Sequence, residues 1–412
     1  MWMFALALFA LTATPNDVPT LAQAALAGDQ DAVAELRRLG QPGLDALVTL
    51  RRSLSAVPPR FVGPQTPQVL AWENLVDSVA KQRYASASGL YWYTDFEAAK
   101  AEARKQNKPI LSLRLLGQLD SDLSCANSRF FRTILYPDPA IAKALHDGYI
   151  LHWRSVREVP KIVIDFGDGR QLTRTITGNS MHYVMTADGQ ITDLMPGMVT
   201  PATFADWLTS ARTFTLEVAK RAPAQRKVAI LAHLRAQLDT GISAWVLALR
   251  AIGIERTADL EALAAATTDE VLDALGRTSN ARISPEAEAL VGPMMGRGVT
   301  LLLEGVLAER AMPLAIGKSA GEAPMLRQLR PVEGYLARDD AKNRFELRAR
   351  LLTLATSTAA TFQDEAELTA RIYAEVFLTP LDDPWMGLAP ADVFTGLPPE
   401  LEKSTTVAGD VR

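Results

Sequence analysis

The chain has 412 residues, enough for two or three domains of ordinary size. With 48% hydrophobic and 22% charged residues it has the composition of a globular protein, not a disordered one. A net charge of −4 argues against nucleic acid as a partner, and one cysteine with four scattered histidines gives no metal-ligand spacing, so neither metal nor cofactor is expected.

The chain opens with an unbroken apolar run from Trp2 to Leu11, followed by the small residues Thr12, Ala13 and Thr14 and then Pro15. That is the length of a signal-peptide core and too short to span a bilayer, so residues 1–14 are expected to be a leader, although no Lys or Arg precedes Arg37. The mature protein is then periplasmic or extracellular, with no integral membrane span, since the later apolar stretch "SAWVLALRAIGI" is broken by Arg250. An exported structural disulfide needs two cysteines. Cys125 is therefore free, paired with another molecule, or capped by a small thiol.

Residues 18–56 carry Leu and Ala at spacings of three and four and read as short helical hairpins similar to HEAT repeats, with Asp29 or Asp31 as a cap. Residues 57–89, rich in proline at their start, read as a linker. From residue 90 helices and strands alternate. Thr94 and Glu97 form a capping-box pattern that opens a helix reaching about Gln106. "ILSLRLLG" is apolar enough for a central strand. A helix led by Cys125 follows, then a short one capped by Asp138 with Pro139 in its first turn. "YILHWRSV" is a strand, "KIVIDF-GDG-RQLTRTIT" and "MHYVMT-ADG-QITDLMPG" are hairpins, and Thr200-Pro201 opens a closing helix. Residues 213–412 read as an all-α domain ending in a proline-rich strap. The fold class is thus a mixed-sheet α/β domain over 90–212, flanked by a short helical-repeat segment and a larger helical region.

Cys125 stands where a helix begins. Free N–H groups and the helix dipole there favour a thiolate, the reactive form of the residue. Ser124 or Asp122 can cap this helix, Ser128 can donate to the sulfur, and Arg129 and Arg132 can offset the charge of Asp122. A small, buried, inert cysteine is the competing reading. His146, His152 and His233 read as structural. "DFGDGR" lacks the context of a kinase or calcium motif and reads as a turn. "GNS" at 178–180 is either a ligand loop or a tight turn, and the Asp382-Asp383-Pro384-Trp385 run is turn chemistry with an aromatic anchor.

The order helix, strand, cysteine-led helix, strand, hairpin and closing helix resembles the thioredoxin-like family. "DFEAAKAEARKQNKPILSL" is similar to the opening of its exported members, and "GNSMHYVMTADGQITDLMPGMVTPATFADWL" is similar to its closing half. The resemblance covers about 120 residues. It implies a Cys-x-x-Cys site, whose place is held here by Cys125-Ala126-Asn127-Ser128; a second register makes it Asp122-x-x-Cys125. It also implies a cis-proline facing the thiol, a position held by Ser180, and a Trp before the first cysteine, where Ser124 stands. In the same arrangement His182 is either a base near the thiol or an ordinary strand histidine, and Ser124, Asn127, Asn179 and Ser180 line the site.

A dithiol releases its own mixed disulfide with its second thiol, a step one thiol cannot perform. Two functions follow. One is a monothiol redox or exchange protein in which Cys125, Ser128 and His182 are catalytic and the partner is a protein or small-molecule thiol or disulfide. The other is a non-catalytic binding or scaffold protein built on the same fold.

Overall fold

The computed structural model describes residues 18–53, 67–176, 178–251, 339–340, 342–357, 364–384 and 386–387. The expected leader (1–14), residues 54–56 of the expected hairpins, residues 57–66 of the expected linker, residues 252–338, the expected anchor Trp385 and the tail from 388 lie outside the described residues.

The N-terminal layer is helical: α1 (Val18–Leu26), α2 (Gln30–Leu39), α3 (Gln41–Ser53), α4 (Pro67–Ala80) and α5 (Ala85–Ser88). Asp29 is the cap of α2, its carboxylate accepting from the N–H groups of Asp31 at 2.9 Å and Ala32 at 3.1 Å. Leu36, Leu44, Leu47, Trp72, Val76 and Val79 form the core of this layer. The stretch expected as a linker is therefore helical from Pro67 onward. Val69, Trp72, Val76 and Val79 recur at helical spacing and are buried, and a proline is well tolerated in a first turn. The proline cluster upstream of α4 masked that periodicity in the sequence.

Helix α6 (Phe96–Gln106) is capped by Asp95, not Thr94; its carboxylate accepts from Glu97 N at 2.8 Å and Ala98 N at 3.3 Å. Thr94 instead accepts from Arg37, tying the helical layer to the sheet. The central strand β1 (Ile110–Leu116) is buried along its whole length. It is followed by α7 (Ala126–Phe130), which runs on as a π-helical turn over Phe131–Leu135, and by α8 (Pro139–Gly148), capped by Asp138 as expected. Strand β2 (Ile150–Arg157) pairs in parallel with β1; β5 (Ser180–Met185) pairs antiparallel with its other edge; β6 (Ile191–Pro196) pairs antiparallel with β5. The sheet order is β2-β1-β5-β6. Thr200 caps α9 (Pro201–Ala219), and α10 (Pro223–Ala251) follows. The molecule is thus α+β, with a mixed four-stranded sheet among many helices.

The link from β2 to β5 is a separate two-stranded ribbon, β3 (Lys161–Asp165) with β4 (Gln171–Thr175). No helix intervenes there to cover the sheet. That cover comes from late in the chain. A π-helical turn over Lys342–Leu347 leads into α11 (Arg348–Ser357), and α12 (Glu365–Arg371) continues as a π-helical turn over Ile372–Val376. Leu351, Leu352, Leu368, Ile372 and Tyr373 from these elements, with Ile230 and Leu234 of α10, share one core with β1, β5 and β6. The described residues beyond 212 therefore complete the sheet's core. Gly197, at φ +58°, allows the join: a Cβ there would meet the Asn343 side chain at 2.2 Å.

Candidate functional site: a sealed thiol at the end of the central strand

Cys125 sits just past the carboxyl end of β1, its N–H donating to Leu116 O at 3.2 Å. It is itself the N-cap of α7, with extended backbone and its sulfur accepting from Ser128 N at 3.4 Å. Neither Ser124 nor Asp122 has that role. Asp122 is turned away and pairs with Arg83 at 2.9 Å. Ser128 Oγ lies 2.6 Å from Ser124 Oγ and 2.9 Å from Cys125 O, and its side chain also favours the ionised sulfur. Arg132 is buried and donates to the backbone carbonyls of Leu119 and Ser121, so it braces the loop before the cysteine.

The cluster is closed to solvent. Cys125, Ser124, Ser128, Ser180 and His182 are each 0% exposed. Burial pushes the Cys125 thiol up, and the opposing pull of Ser128 and the nearby N–H groups does not reverse it. The phenols of Tyr136 and Tyr373 lie close enough for a thiolate at Cys125 to push their own ionisation further up.

The other expected residues surround this point. Asn127 donates to Ser180 Oγ at 3.1 Å, joining the cysteine helix to the start of β5. Gly178 passes so close that a Cβ there would meet Asn127 Oδ1 at 2.9 Å. Asn179 is taken up by the late chain: its amide donates to Thr379 Oγ1 at 2.8 Å, and its carbonyl accepts from Tyr373 OH at 3.2 Å. No peptide bond among the described residues is cis, including that of Ser180. His182 faces an aromatic cage of Phe131, Phe204 and Trp207, and its Nε2 shares a 2.8 Å hydrogen bond with Tyr136 OH. Burial lowers its pKa to about 3, so the ring is neutral. Its Nδ1 has no partner, and no hydrogen bond among the described residues joins it to Cys125.

A second buried network was missed in the sequence. Arg114 lies in the middle of β1, 1% exposed. Its Nη1 donates to Ser112 Oγ at 2.6 Å, and its Nε donates to Glu365 Oε1 of α12 at 2.8 Å. Ser112 Oγ, accepting from Arg114, is left to donate to His152 Nδ1 at 2.6 Å. Burial, reinforced by Arg114 and Arg154, lowers His152 to about 3 and keeps it neutral. Thr369 links Glu365 to Tyr183. The signal was present as a lone arginine in an apolar strand. Its partner was not legible. A third network holds α10 and α11 to β6: the buried Asp193 accepts from Arg348 at 2.9 Å and lies 3.2 Å from His233 Nε2.

A cleft of about 500 Å³ opens between α8 and α9, lined by Lys143, Tyr149, Leu208 and Arg212 among others. None of the residues expected to act in the site lines it. Among the described residues no group of three or more His, Cys, Asp or Glu side chains is placed to hold a metal ion, and no helix is long and apolar enough to cross a membrane. No protein-family model matches the chain, and no curated protein matches it at a significant level.

Proposed function

We propose that this is an exported protein with a thioredoxin-like domain that has kept the fold and given up thiol chemistry, and that it works by binding a protein partner. The observation that carries the reading is the complete burial of Cys125. A nucleophilic thiol must reach its target as thiolate; this one is 0% exposed, with burial favouring the neutral form. The loop at Asn179 and Ser180, where a substrate disulfide would approach in a thioredoxin-like arrangement, is bonded to Tyr373 and Thr379. The fold assignment draws support from the strand order β2-β1-β5-β6, the parallel and antiparallel pairings, and the helix that starts at the cysteine. The export assignment rests on the apolar run Trp2 to Leu11 and its small-residue flank.

The test is the pH dependence of Cys125 alkylation by iodoacetamide, native against unfolded. The expected result is slow native labelling at every pH and fast labelling once unfolded. A fast native reaction with a midpoint well below about 8.5 would overturn the proposal in favour of monothiol exchange. Mass analysis of the mature chain checks removal of the leader.

A further inference from the structure

The β3–β4 ribbon stands apart from the main sheet, and every residue of β3 is exposed. Ile162 (45%), Val163 (56%), Ile164 (44%) and Phe166 (55%) are the larger apolar groups it presents to solvent. An isolated two-stranded ribbon is marginally stable, and a bare apolar edge is a template for another strand.

The ladder fixes which groups face outward. Phe166 N donates to Arg170 O at 3.1 Å, and Ile176 N donates to Pro160 O at 3.2 Å. Hydrogen-bonded pairs alternate along an antiparallel ribbon. Ile162 and Ile164 therefore turn their backbone groups toward β4, while Lys161, Val163 and Asp165 turn theirs to the free edge.

The free edge reads Lys161-Ile162-Val163-Ile164-Asp165. Laid antiparallel against a second copy of itself about Val163, it places Lys161 opposite Asp165 of the other copy, Val163 opposite Val163, and Ile162 opposite Ile164. The three residues whose backbone groups point outward are the ones this register pairs with one another. Charges of opposite sign then meet at both ends, and apolar side chains meet between. Lys161 makes no ion pair among the described residues. The edge of β4 offers no such self-match, and Thr175 of β4 is already bonded to Ser124 O.

We propose that β3 is the interface of a two-fold homodimer, formed by antiparallel β3–β3 pairing centred on Val163 into a continuous four-stranded ribbon. The occupant is a second copy of this chain because the edge is complementary to itself, as an isologous contact requires. The contact is small, so the dimer should be concentration-dependent, with a Kd of roughly micromolar to high micromolar.

Sedimentation of the full chain from roughly 1 µM to 1 mM should show reversible dimerisation. Lys161→Asp and Asp165→Lys each set like charges opposite one another and should weaken self-association at least about tenfold. Mixing these two variants should restore a heterodimer, because every opposed pair is then of opposite sign; the double variant Lys161→Asp/Asp165→Lys should restore the homodimer. Val163→Pro removes an outward N–H without touching the β4 ladder. It should abolish association while leaving the circular dichroism and thermal midpoint of the chain in place. A wild-type chain monomeric throughout the range overturns the proposal. So does association that survives Val163→Pro, or single variants that mixing does not rescue.

Discussion

Arg114, sealed in the central strand, donates to Glu365 at 2.8 Å across 251 positions of sequence. The pair joins the first strand of the sheet to a helix near the end of the described chain, and it makes the late helices part of the sheet's own structure. Removing the carboxylate with Glu365→Ala strands a buried guanidinium and should lower stability by about 3 kcal/mol. Arg114→Met, which removes the charge and keeps the bulk, should cost clearly less. Urea midpoints of the two variants check this. Equal losses would mean that Glu365 left without Arg114 costs as much as the stranded guanidinium.

The sealed thiol should respond to its lid. Tyr373 is buried, is near enough for a thiolate at Cys125 to raise its ionisation, and anchors the Asn179 loop. Tyr373→Ala should speed alkylation of native Cys125 by at least about tenfold, at a stability cost of roughly 3–5 kcal/mol typical of large-to-small core changes. Labelling kinetics under strongly native conditions separate local opening from global unfolding. An unchanged rate would show that other groups close the site.

Acid sensitivity should begin above the carboxylate range. His182 and His152 are both held near pKa 3 by burial, against 6.5 for a free ring. Below pH 6.5 the unfolded chain takes up these protons and the folded chain does not, so stability present above pH 6.5 is lost progressively as pH falls toward about 3. A thermal midpoint that drops from pH 6.5 downward, and drops less in His182→Phe, is the expected result. NMR titration of His182 near its free value would contradict it.

A second acid step involves Asp193. Burial raises its pKa, but Arg348 and His233 outweigh that and leave it at about 2, below the ordinary 3.8. Its folded-state pKa is depressed, so its contribution is present above 3.8 and is lost as pH falls through about 2. Asp193→Asn should be less stable than wild type at neutral pH and should lose less between pH 4 and 2. Calorimetry across that window decides.

Local chemistry made much of the fold readable. Caps at Asp138 and Thr200, the Gly-Asp-Gly and Asp-Gly turns, and the apolar run of β1 each act within a few residues, so their consequences can be seen in a short window. The same holds for Cys125 at a helix start. Asp95 displaced Thr94 as the cap because both are favoured N-cap residue types, and only backbone geometry chooses between them. What seals the thiol was not readable. Tyr373 and Thr379 reach Asn179 from about 200 positions away, and no spacing rule encodes such a meeting. Burial of Cys125 is therefore a property of the assembled core, whereas its place on the helix is a property of its immediate neighbours.

The late cover of the sheet also sets a schedule. A growing chain that has reached Ala219 holds the six described strands but lacks the partners of Arg114, Tyr183 and Asp193 that come from beyond residue 230. At ordinary synthesis rates, the stretch from Ala219 to Val376 takes roughly 8 to 30 s to appear. For that interval the nascent sheet is an unfinished surface with a bare arginine in its middle, and the chain cannot close around it one domain at a time. Its folding is committed only once α11 and α12 have been made.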